Sequence, residues 1–88
     1  MEVEFLEKFS KDIDAINLKS VKKNIAKLII DVEIAKAINE LSNVKKLKGH
    51  KFAYRIRVGD YRIGFFLESG KVIFARVVHR KDIYKVFP

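Results

Sequence analysis

Arg55, Arg57 and Arg62 fall within eight residues, in the stretch YRIRVGDYRI, around a single Gly-Asp pair. Guanidinium groups grip a phosphate through two parallel hydrogen bonds, whereas a lysine ammonium acts as a point charge. Downstream, the tail HRKDIYKVFP adds His79, Arg80, Lys81 and Tyr84. Histidine is the side-chain type whose ordinary pKa lies nearest neutrality, and tyrosine offers a hydroxyl on a stacking ring. These residue types suit the binding of a phosphodiester, the neutralisation of charge building on it, and the movement of a proton. Taken singly, His79 has the plainer reading of a satisfied strand-end histidine and Tyr84 that of a packing residue. Their interest depends on the elements that carry them.

Those elements are strands. From Phe52 the apolar period is two: Phe52, Tyr54, Ile56 and Val58 alternate with Ala53, Arg55 and Arg57, the pattern of a half-buried strand. Gly59-Asp60 supplies a two-residue hairpin loop, which fixes the register of the returning strand from Tyr61. Val58 then faces Tyr61, Ile56 faces Ile63 and Tyr54 faces Phe65 on a core face. On the other face Arg57 lies across from Arg62, and Arg55 from Gly64. Like charges directly opposite each other cost a sheet a few tenths to about 1 kcal/mol. The next hairpin, turning at Ser69-Gly70, instead sets Glu68 opposite Lys71. Continuing the register through KVIFARVV puts Gly64 beside Ala75, leaving a hollow flanked by Arg55, Arg57 and Arg62. It also puts Arg76 on the core face, which requires either that Arg76 snorkel out at the rim or that a bulge break the alternation. Phe66, Ile73 and Val77 project to the arginine face, to be covered by a partner or by the chain's own tail or connector.

The first half reads helical. Phe5, Phe9, Ile13 and Ile16 have near-helical spacing, after a Met1 to Glu4 segment short enough for one strand. Asn17 to Lys19 form a break, with Ser20 as N-cap of a second helix. Val21, Ile25, Leu28, Ile29 and Val32 make its apolar stripe. The stripe shifts after Glu33, to Ile34, Ala37, Ile38 and Leu41, which predicts a kink or a short third helix. NVKKLKGHK, Asn43 to Lys51, reads as a basic connector hinged at Gly49. The expected architecture is a single α+β domain over residues 1-88: a short N-terminal strand and two or three helices on one face of a mostly antiparallel sheet of three or four strands.

Charge is divided unevenly, with a net −1 over Met1 to Val44 and +9 over Lys45 to Pro88. A basic face on a near-neutral scaffold fits a polyanionic partner. The chain contains no cysteine, which excludes a disulfide framework and a thiolate metal site and agrees with a reducing compartment. No apolar run approaches membrane-spanning length, and MEVEFLEKFS lacks the basic start and apolar middle of a secretory signal. A cytoplasmic protein without membrane association is expected. No metal-ligand cluster or nucleotide-binding loop is present, so neither a metal nor a small-molecule cofactor is expected.

The segment LKGHKFAYRIRVGDYRIGFFLESGKVIFARVVHRKDIY, Leu47 to Tyr84, resembles the signature of the RelE/ParE superfamily of bacterial and archaeal toxins. The likeness lies in a leucine-basic-glycine start, a Tyr-Arg strand, a GDYR hairpin and a strand running into HRKDIY. For the RelE branch it implies a ribosome-dependent endoribonuclease that cuts messenger RNA by attack of a ribose 2′-hydroxyl on the adjacent phosphorus. It further implies that Arg62 and Arg80 stabilise the phosphate and that Tyr84 positions or stacks on the substrate. Arg55 and Arg57 occupy positions that are lysines in the best-known ribosome-dependent members. An arginine keeps its proton, with a pKa above about 12, so both are suited to neutralising charge and not to acting as a base. That leaves His79 or Tyr84 to titrate. Lys45, Lys46, Lys48, Lys51 and Lys81 would anchor RNA without sequence choice. The implied partners are the ribosome, messenger RNA and an antitoxin. Two other functions compete: a ParE-like inhibitor of DNA gyrase without nuclease activity, and a non-toxic basic RNA-binding relative. The gyrase branch generally lacks the arginine-and-tyrosine constellation.

Overall fold

In a computed structural model that describes all 88 residues, one sheet organises the chain. Strand β1 (Glu2–Phe5) leads into helix α1 (Glu7–Ala15) and helix α2 (Lys19–Ile34), followed by a 3-10 turn at Ile38–Glu40. Strands β2 (Val44–Lys46), β3 (Ala53–Val58), β4 (Tyr61–Glu68) and β5 (Lys71–His79) come next, and a short helix α3 (Ile83–Val86) ends the fold. The sheet order is β1-β5-β4-β3-β2, with β1 parallel to β5 and every other pair antiparallel. A parallel neighbour needs a long crossover, and the helices provide the chain for it.

The β3–β4 hairpin has the expected register, Arg57 opposite Arg62 and Arg55 opposite Gly64. Gly59 has φ +58, a left-handed conformation that glycine adopts without cost. The alternation sends Ile56, Ile63 and Phe65 to the helix face. There they form a buried core with Phe9 of α1, Ile25 and Val32 of α2, and Val72, Phe74 and Val77 of β5. Phe5 closes β1, where its ring stacks 5.5 Å from Phe74 and 5.8 Å from Phe9.

Four expectations are corrected. Helix α2 starts after Leu18, not Ser20, because the Leu18 carbonyl already accepts the Lys22 N–H; Ser20 lies in the first turn and caps nothing. The basic connector contributes a fifth strand, since Val44–Lys46 pairs along β3 and sets Lys45 opposite Arg55. The β4–β5 ladder shifts register after Gly64: Phe65 pairs with Phe74 but Gly64 pairs with Arg76, so Ala75 is the extra residue of a bulge and Gly64 does not lie opposite it. The bulge turns Val77 into the helix-side core, away from the arginine face.

The bulge also decides between the two readings of Arg76. Its Nε and Nη2 donate to the Asp12 carboxylate of α1 at 2.8 and 3.1 Å, and the Val77 N–H donates to the same carboxylate at 3.0 Å. The hydrogen bond to Asp12 holds the Arg76 pKa above its ordinary value. The sheet's other face is partly closed by the tail, where Ile83 and Phe87 pack with Leu47, Ala53 and Ala75.

Candidate phosphodiester site

Three neighbouring strands bring their cations together on the face away from the helices. Arg57 and Arg62 are ladder partners, and Arg55 pairs with Gly64 on one side and Lys45 on the other. With Asn43 and Val44, these four side chains line a depression of about 240 Å³. Each arginine is held by neutral oxygens. Arg57 Nη2 donates to Asn43 Oδ1 at 3.1 Å, Arg62 Nη1 to the Gly59 and Tyr61 carbonyls at 2.9 and 3.0 Å, and Arg55 Nε to Tyr84 Oη at 3.0 Å.

No carboxylate intervenes. The chain's ion pairs are Lys11–Glu7, Arg76–Asp12 and Lys85–Asp82, none of which involves these arginines. Burial pushes the Arg62 pKa below its ordinary value, the charges of Arg55, Arg57 and Arg80 add to the depression, and Tyr84 acts in the opposite sense. The surroundings thus disfavour the charge that Arg62 carries, and an anion in the depression would reverse that. Arg80 is tied to the β3–β4 loop by its backbone N–H, which donates to the Asp60 carbonyl at 2.8 Å.

The hollow expected beside Gly64 is filled by the protein itself. A Cβ built on Gly64 would lie 2.5 Å from the Phe87 ring, so glycine is what allows the tail to seat there. Phe66, expected to be covered either by a partner or by the chain's own tail or connector, packs against Phe87 with centroids 5.1 Å apart. The tail is the cover over Phe66, and Tyr84 rides on it, 62% exposed, above Arg55.

His79 is not brought to the arginines. It pairs with Tyr61 at the end of β5, on the helix face, and its Nδ1 accepts the Lys81 N–H at 3.2 Å. The bulge is the cause, because one extra residue draws His79 into the sheet and turns it to the opposite side. Among the lysines, Lys45 enters the arginine depression, while Lys46 and Lys48 line an adjoining cavity with Tyr84. Lys51 lies farther along the β2–β3 loop, and Lys81 is exposed on the turn after β5. Two residues of these cavities were missed from sequence: His50, and Asn43, which orients Arg57. Asn43 has φ +63, a conformation that asparagine tolerates better than most residues. Its position ahead of a Lys-rich strand was the available signal.

With this geometry in place, the comparisons with known proteins decide the family. Residues 3–84 match the ParE toxin family of type II toxin–antitoxin systems, parDE. The chain belongs to this toxin family. It is 40% identical to Toxin RelE3 of Methanocaldococcus jannaschii, over the full length of both chains. The fold superposes with a TM-score of 0.82 on a chain of the RelB–RelE antitoxin–toxin complex from Methanococcus jannaschii, at 38% identity, covering 97% of this chain and 99% of that one. A chain of the archaeal RelE–RelB complex from Pyrococcus horikoshii shares the fold with a TM-score of 0.74 at 20% identity, covering 93% and 97%. Within the superfamily this toxin therefore sits with the RelE-like branch.

Proposed function

We propose that this toxin cleaves messenger RNA on the ribosome and is held silent by a cognate antitoxin. What carries the reading is the carboxylate-free convergence of Arg55, Arg57 and Arg62, joined by Lys45, on one face of three adjacent strands. The likeness to a toxin named RelE3, and to a RelE chain solved with RelB, supports both halves of the proposal.

In the reaction the ribose 2′-oxygen attacks the adjacent phosphorus. The new P–O2′ bond forms as the P–O5′ bond breaks, leaving a 2′,3′-cyclic phosphate and a 5′-hydroxyl. The crowded intermediate carries extra negative charge, and the guanidinium groups of Arg57, Arg62 and Arg80 neutralise it. Such preorganised donors are each worth about 10²–10³ in rate. The proton leaving the 2′-hydroxyl and the one reaching the 5′-oxygen need groups that exchange protons, which guanidiniums do poorly. Tyr84, bonded to Arg55 through its oxygen, and Lys45, opposite Arg55, are the two such side chains at the depression. Lys45 supplies from β2 the ammonium that positions 55 and 57 lack.

The test adds purified toxin to translating ribosomes and maps messenger ends by primer extension, with a gyrase supercoiling assay alongside. Ribosome-dependent cuts lost in Arg62→Ala and Arg80→Ala support the proposal. Intact messenger together with inhibited gyrase moves the protein to the ParE activity.

A further inference from the structure

A second cavity, about 450 Å³, opens between the β2–β3 loop and the tail. It adjoins the arginine depression: Lys45 lines both, and Tyr84, on its wall, is bonded to Arg55 of the first. Its composition differs from that of its neighbour. The exposed Tyr84 ring, Pro88 and the largely buried Phe87 give it an apolar side, Lys46 and Lys48 give it cations, and His50 stands among them.

We infer that this cavity seats the nucleobase next to the linkage held by the arginines, and that His50 is a residue that touches that base. The inference rests on the nuclease reading and adds to it a subsite walled by the β2–β3 loop. Its volume lies within the usual range for small-molecule sites, about 300–1,000 Å³. A nucleotide of single-stranded RNA presents a π-face, a polar base edge and a charged backbone. Aromatic side chains take the first and lysines the last. The base edge needs a group that both donates and accepts hydrogen bonds, which lysine cannot do and imidazole can. The His50 side chain makes no hydrogen bond within the chain, so its ring is free for that role. Its backbone is nevertheless placed, because Leu47 is buried beneath the loop and the His50 N–H donates to the Leu47 carbonyl at 3.4 Å. No acidic side chain lines the cavity, and three lysines do.

The experiment follows histidine and tyrosine ring resonances of the full chain by NMR while adenosine 5′-monophosphate is added, and in parallel inorganic phosphate. The expected result is that the nucleotide shifts His50 and Tyr84 with one saturation curve, that phosphate leaves His50 unmoved, and that His50→Ala weakens nucleotide binding at least about fivefold. Nucleotide binding that leaves the His50 signals in place, or that is as tight in His50→Ala as in the parent, overturns the inference. The two readings fail separately. Shifts at His50 in a protein that leaves messenger intact on ribosomes keep the subsite and remove the nuclease. Cleavage at unchanged rate and position in His50→Ala removes the subsite and keeps the nuclease.

Discussion

Arg76 and Arg62 sit on neighbouring strands of the same sheet, and the protein treats them in opposite ways. Arg76 forms two hydrogen bonds to Asp12, is largely buried and has its charge favoured. Arg62 faces Arg57 across the ladder, finds only carbonyl oxygens, and has its charge disfavoured. The chain carries 11 acidic residues, and none is spent on the arginine face. The difference teaches that one arginine ties α1 to β5, while the other is left without a counter-charge, as the proposed phosphodiester site requires.

The comparison can be broken by mutation. Arg62→Ala is expected to lower ribosome-dependent messenger cleavage by about 10²–10³, while urea unfolding shows stability unchanged or raised by up to about 1 kcal/mol. Asp12→Ala should do the reverse. It strips a largely buried arginine and the Val77 N–H of their acceptor, at a cost of about 2 kcal/mol after allowance for partial exposure, while cleavage per folded molecule stays the same. Gly64→Ala sharpens the picture at the tail. Overpacking against Phe87 should cost about 1–2 kcal/mol and lower cleavage severalfold by shifting Tyr84. Adding Phe87→Leu should restore part of both, as read by thermal unfolding and cleavage assays on the double variant. His79→Ala is the smallest change. On the helix face it should alter stability by about 1 kcal/mol or less and leave cleavage within about twofold, whereas a catalytic His79 would lose far more.

The hairpin is legible in the sequence because its two-residue loop leaves one register, and every pairing from Tyr54 to Phe65 follows from it. The helices were legible from their stripes, although the start of α2 was not, since Ser20 is a good capping residue lying two residues past the actual N-cap, Leu18. The β4–β5 bulge left no such mark. Gly64 and Ala75 are both small, so the sequence does not signal which of them absorbs an extra residue, and that single residue decides the faces of Arg76, Val77 and His79. Strand β2 was hidden for another reason: Val-Lys-Lys at a sheet edge looks like a polar linker, because edge strands carry lysines. The hollow expected beside Gly64 is occupied by Phe87 of the chain's own tail, a long-range contact that local patterning does not encode.

The most direct measurement is a double-mutant cycle between Arg57 and Arg62. Unfolding free energies of the parent, both single alanine variants and the double variant would be taken with and without a short RNA carrying a 2′-deoxy ribose at the scissile position. The coupling is expected to be repulsive in the free protein, by a few tenths to about 1 kcal/mol, and to vanish or change sign when the RNA is bound. A coupling that is absent in the free protein, or that RNA leaves untouched, would contradict the claim that these arginines face each other in order to share an anion.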